Sequence, residues 1–192
     1  MNAATALAPS VGPTRAALLA MKPKELGAAL RAGHPIDPSA LDDTVYRGIS
    51  LGLPAWVDKL AWKTFVKTFC RDGDVLRGWN VRLEQTGLDG ELVYQRTRDG
   101  APKSFGHFRV IDAGEAPHGA HRGLLIDYGQ GGNPLFDPIR FLRDPIVALE
   151  PGSVDRLLGW SWVDLGVALN TPSYFLLERQ IPLDHRAEPP RG

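Results

Sequence analysis

From Asp74 onward the chain is a succession of short alternating runs separated by turn signals, and this more than any other feature limits the folds open to it. The runs are Val75–Leu83, Glu91–Thr97, Phe105–Ile111, Arg122–Tyr128, Pro145–Leu149, Arg156–Leu165 and Ser173–Gln180. Gly87–Gly90, Asp99–Pro102 and Ala113–Gly119 carry the Gly, Pro and Asp residues of connecting turns. Consecutive strands without crossover helices pair antiparallel, and closing such a sheet into a barrel removes its edges. A barrel of about eight strands encloses room for side chains or for one small ligand.

Ahead of the meander the pattern is more helical. Thr14–Met21 and Pro23–Ala32 read as two short helices, with Pro23 in a first turn, Leu26 and Leu30 on one face and Gly33 as a stop. Thr44–Leu51 alternates Val45, Arg47, Ile49 and Leu51 against Tyr46, Gly48 and Ser50, a strand pattern. Pro54–Cys70 reads as one long helix that stops at the Asp72-Gly73 turn. The expected fold is therefore mostly β (α+β): an antiparallel meander closing into a lipocalin-like barrel, with N-terminal helices and one long capping helix. Residues 1–13 are expected to be a disordered lead, 14–184 a single barrel domain and 185–192 a flexible tail.

Composition narrows the function classes. Lysine plus arginine equal aspartate plus glutamate at 22 each, so no global positive field draws in nucleic acid. Cys70 has no second cysteine to pair with, which excludes an internal disulfide and cysteine-rich zinc modules, and reads as a buried thiol. Met1–Pro13 lacks the positive start and apolar run of an export signal, and no apolar stretch approaches the ~20 residues of a spanning helix. The expectation is a cytoplasmic protein with no cofactor, no metal and no transmembrane segment, its oligomeric state left open.

Several constellations offer chemistry. Gly48-Ile49-Ser50-Leu51-Gly52 matches the G-x-S-x-G elbow of serine hydrolases, but that elbow belongs to a parallel sheet with repeated βα units, and a simple strand end is the favoured reading. Lys59, Lys63 and Lys67, four apart, form a basic stripe on the expected helix: a solvated face, or a lid attracting an acidic group. His107 and Arg109 share a strand face with Phe105 and Ile111, as a ligand clamp or as a hydrogen-bonded histidine with an outward arginine. Trp79 shares a face with Val81 and Leu83, and Trp160 and Trp162 share one with Leu158, which places Trp79 and at least one of the other two toward the barrel interior. His118 and His121 lie on a Gly/Pro-rich turn and read as loop residues rather than half a metal site. Asp127, Tyr128, Asp137, Arg140, Arg143 and Asp144 surround the loop Gly129–Pro138, the longest polar stretch between strands.

The helical lead, the glycine-bearing first strand Tyr46-Arg47-Gly48, the capping helix and the meander resemble the calycin group, which includes lipocalins and fatty-acid-binding proteins. Leu125–Arg143, Asp155–Trp160 and Tyr174–Arg179 are also similar to the second half of uncharacterised bacterial lipocalin-like proteins that carry a GXWXG motif. The resemblance implies binding of a small apolar molecule inside the barrel and transfers no catalytic residue. The expected function is binding of a small hydrophobic molecule, with or without an acidic group; where one is present it would meet Arg47 or Arg109. Arg47, Trp79, His107, Arg109, Tyr128, Trp160, Trp162 and Tyr174 are the candidate ligand-binding residues. The alternative is a small cyclase or isomerase of the same shape, using His107, Tyr128 or Asp127 for proton transfer.

Overall fold

A computed structural model describes residues 12–52, 63–114 and 122–190. Its body is a closed barrel of eight sequential antiparallel strands. These are β1 Thr44–Leu51, β2 Thr64–Asp72, β3 Val75–Val81, β4 Ser104–Asp112, β5 Leu124–Asp127, β6 Leu142–Glu150, β7 Ser153–Asp164 and β8 Ala168–Pro182. β8 pairs back onto β1, with Gly48 opposite Leu177, so no edge is left for another chain to template. Two short helices precede the barrel, α1 (Arg15–Ala20) and α2 (Pro23–Ala32). Thr14 Oγ1 caps α1 by accepting from Ala17 N–H, and Pro23 and Glu25 open α2, the Glu25 carboxylate accepting from Lys22 N–H at 2.7 Å.

The long helix expected over Pro54–Cys70 is corrected where it can be described: Thr64–Asp72 is β2, and residues 53–62 lie outside the described residues. The segment satisfies two periods at once. Phe65 with Phe69, and Lys63 with Lys67, fit the four-residue spacing of a helix, but as a strand Phe65, Lys67 and Phe69 alternate inward against outward Thr64, Val66, Thr68 and Cys70. Its β-branched and aromatic content suits a pleated surface, and β1 and β3 each need a pairing partner. Glu91–Thr97 is also corrected, from a strand to a connection that carries two isolated bridges, Leu83 to Tyr94 and Arg96 to Pro102, and packs Leu92 and Tyr94 on the outside of the wall.

The barrel wall is apolar on both faces. Its interior holds Tyr46, Phe69, Leu76, Phe108, Ile126, Tyr128, Ile146, Leu157, Phe175 and Leu177. Outside, α1 and α2 lay Leu18, Leu26 and Leu30 over Ile49, Val147, Leu158, Trp160, Trp162 and Leu176. A second outer layer packs Leu92, Tyr94, Leu183 and Ala187 onto Val45, Val66, Cys70, Trp79 and Val81. Trp79, Trp160 and Trp162 therefore face away from the barrel interior, contrary to expectation. Alternation assigns residues to the two faces of a strand, but when both faces are covered it does not say which one is inside.

Inside, glycine and aromatic residues are paired across strands. Gly48 lies opposite Phe65, Gly78 opposite Phe108 and Gly159 opposite Phe175. A Cβ on any of these glycines would fall within the facing ring, so the space each one leaves is taken by an aromatic side chain from the next strand.

Candidate functional site

The aromatic filling stops short of one end. A cavity of about 400 Å³ remains where β1, β3, β5 and β7 finish and the next strands begin. Its wall is Phe65, Phe105, Ile139, Leu142, Tyr174 and Phe175, with Ser50, Ser161 and Ser173 among them, and Lys67, Asn80, Tyr128 and Asp144 form its polar part. The volume lies within the range of small-molecule sites, and an apolar wall with a few convergent polar groups is their usual composition. The β7–β8 turn at this end carries the exposed Leu165 and Val167, and the β5–β6 connection the exposed Leu135 and Phe136.

Lys67 is 1% exposed, on a strand whose neighbouring inward residues are phenylalanines. Its ammonium lies 5.0 Å from the Phe108 ring centre, 5.1 Å from those of Tyr128 and Phe175, and 5.9 Å from that of Phe65. Lys67 Nζ donates to the Tyr128 hydroxyl at 2.6 Å and lies 3.4 Å from Asp144 Oδ2. The Tyr128 hydroxyl also accepts from Asn80 Nδ2 at 3.3 Å and donates to Asp144 Oδ2 at 3.0 Å. Tyrosine thus joins the amine to the carboxylate, and the direct Lys67–Asp144 contact is the longer, weaker one. Asp144, 2% exposed, keeps its other oxygen, Oδ1, buried without a hydrogen-bond partner in the protein. Burial lowers the affinity of the Lys67 amine for its proton, and Asp144 opposes this only in part. Burial, aided by Asp144, raises the Tyr128 phenol well above its usual range and keeps it protonated as a donor.

Of the residues singled out from the sequence, Tyr128 lines this cavity with its side chain, whereas Tyr174 borders it from the wall with its ring on the outer face, against Trp160 at 6.4 Å under α2. The others are elsewhere. Arg47 points outward and holds the 88–90 turn, donating to the Leu88 carbonyl at 3.0 Å and the Gly90 carbonyl at 2.5 Å. Trp160 and Trp162 stack on each other in the layer under the helices. His107 and Arg109 do share a face, but it is the outer one, in a separate cleft of about 330 Å³ with Arg77, Gln130 and Gly131. Phe105 does not go with them, because a β-bulge at Gly106, with φ of 54°, resets the alternation and leaves Phe105 on the cavity. Asp127 caps the turn after β5, accepting from Gly129 N–H at 2.8 Å, and pairs with Arg143 at 3.2 Å. His107, Tyr128 and Asp127 are thus not brought together. Ser50 lines the cavity, with His107 on the other side of the wall. His118 and His121 lie outside the described residues.

Sequence reasoning passes over Asn80, places Lys67 on a basic helical stripe and sets Asp144 among the residues around a polar loop. Lys67 is concealed by its four-residue spacing from Lys59 and Lys63, and Asp144 by its place beside a polar loop. The usable signal is Phe65-Val66-Lys67-Thr68-Phe69 read with a period of two: a lysine on the aromatic face of a buried strand.

The chain matches no family model, no curated protein and no solved structure. The eight-stranded antiparallel barrel is consistent with the calycin-like shape that the sequence resembles. Among the described residues no helix is long and apolar enough to cross a membrane.

His107 makes its own prediction. It is 3% exposed against Trp79, its Nδ1 has no partner, and burial, with Arg77 nearby, pushes its pKa down to about 4 from 6.5. The unfolded chain then binds a proton that the folded one refuses between those values, so stability falls as pH drops from about 6.5 to about 4. Denaturant midpoints across that window should decline for the native protein and decline less for His107→Gln. Identical profiles would mean that His107 titrates normally.

Proposed function

We propose that the protein binds one small, mostly apolar molecule in the barrel, with the molecule's polar end against Lys67, Tyr128 and Asp144. The observation carrying this is the roughly 400 Å³ cavity whose apolar wall converges on a buried amine, phenol and carboxylate. A filled core has no need of such a cluster, since a buried ion pair is weak support for stability. The charges also bear on the ligand. Arg47 and Arg109 are outside, and Lys67, the cation among the described residues that line the cavity, already has Asp144 beside it, which leaves a carboxylate at a disadvantage. The open position is an acceptor, Asp144 Oδ1, next to the donors of Lys67. A hydroxyl or carbonyl end group meets these better than an ionised acid.

A dye that brightens in apolar surroundings tests this reading. The native protein should bind it saturably, decanol should displace it, and decanoate should do so at least tenfold more weakly at neutral pH. Ser173→Trp, which places an indole on the cavity wall, should abolish binding while leaving the fold intact by circular dichroism. A native protein that binds neither dye nor decanol removes the proposal. Equal displacement by alcohol and carboxylate keeps the cavity and rejects the neutral end group.

A further inference from the structure

We propose that Lys67 is an imine-forming lysine, condensing with an aldehyde carried by a small apolar molecule in the barrel cavity; this rests on the cavity being a binding site. Three features converge on it. Among the described residues Lys67 is the lysine that lines the cavity, whereas Lys22, Lys24 and Lys103 are exposed on the outside. Its Nζ sits beside a phenol at 2.6 Å and a carboxylate at 3.4 Å, groups able to pass protons to and from a reacting carbonyl. The rings of Phe65, Phe108, Tyr128 and Phe175 surround it and exclude water, which slows hydrolysis of an imine once formed. A lysine in such a pocket gives up its proton more easily than one in water, and the free amine is the nucleophile.

The step balances without an oxidant or reductant. Asp144 takes the ammonium proton, and the Nζ lone pair forms a bond to the carbonyl carbon while the carbonyl oxygen receives a proton from the Tyr128 hydroxyl. The resulting carbinolamine loses its C–O bond. Nζ, which still carries two protons, passes one to the hydroxyl so that the oxygen departs as water, and the electron pair freed on nitrogen forms the C=N bond of a protonated imine beside the Asp144 carboxylate. Tyr128 is reprotonated through Asp144, to which it already donates at 3.0 Å. The Oδ1 atom of Asp144 is placed to accept from the carbinolamine hydroxyl.

The test uses the whole chain, decanal and cyanoborohydride, which converts an imine into a stable secondary amine. Peptide mass spectrometry should find the decyl adduct at Lys67 with at least tenfold greater occupancy than at Lys22, Lys24 or Lys103, and excess decanol should suppress it. Lys67→Arg, which keeps the charge without a condensable amine, should carry no adduct there, while Lys22, Lys24 and Lys103 label as in the native chain. If decanol displaces the dye but decanal leaves Lys67 unmodified, or labels it no more than the surface lysines, the imine is rejected and the binding site stands. If neither compound displaces the dye, the cavity reading fails and the imine with it.

Discussion

Replacing Asp144 by leucine is expected to cost about 3–5 kcal/mol of stability, the loss typical when one partner of a buried ion pair is removed. The variant leaves Lys67 inside the barrel with a phenol hydroxyl and ring faces but no carboxylate, at 1% exposure. Urea unfolding should report the loss, and at about 2–4 °C per kcal/mol for a chain of this size it should be plain in thermal melts as well. The deficit should shrink as pH rises. A lysine whose folded pKa lies below its unfolded value of 10.5 binds fewer protons folded than unfolded, so stability increases with pH up to about 10.5. The double variant Lys67→Met/Asp144→Leu should recover most of the loss, because apolar replacements of similar volume for both members of a buried pair are close to neutral. An Asp144→Leu loss below about 1 kcal/mol would mean that water reaches Lys67 and that the ion pair is effectively solvated.

Phe108→Ala is expected to cost about 3–5 kcal/mol, the range for truncating a buried aromatic side chain. The Phe108 ring fills the space left by Gly78 and meets Phe69 edge-on at 5.6 Å and Tyr128 at 5.5 Å. It also forms one side of the box around Lys67. No neighbour can close the gap by a small shift, because Gly78 across the strand has no side chain. The same variant should lengthen the cavity toward the filled end of the barrel, so a longer apolar alcohol should gain affinity relative to decanol. A loss of less than about 1 kcal/mol would show that the interior collapses and that the glycine–aromatic pairing does not hold it open.

The sequence was legible where one local rule acted alone. β1 begins and ends at Thr44 and Leu51, where alternation marked it, and α2 runs from Pro23 to Ala32 between a first-turn proline and a glycine. Legibility failed where a second constraint overrode the first. Thr64–Cys70 fits a helical stripe and a strand equally well, and only the need of β1 and β3 for a partner decides between them. Trp79, Trp160 and Trp162 pack against apolar neighbours as alternation implies, but on the outside of the wall, which helices and connections cover as aromatic rings fill its inside. His107 was separated from Phe105 by one bulge at Gly106. The glycines marked positions short of bulk, yet the room beside Gly48, Gly78 and Gly159 is occupied by rings from the adjacent strands. The actual space lies past those rings, where Lys67, Asn80, Tyr128 and Asp144 arrive from β2, β3, the end of β5 and β6, a convergence that no local pattern encodes.

Native mass spectrometry of the protein incubated with decanol tests most directly whether the barrel takes up an apolar guest. The account predicts one decanol per native chain and none on Ser173→Trp. A native chain that carries no adduct, or a Ser173→Trp variant that carries as much as the native protein, would contradict it.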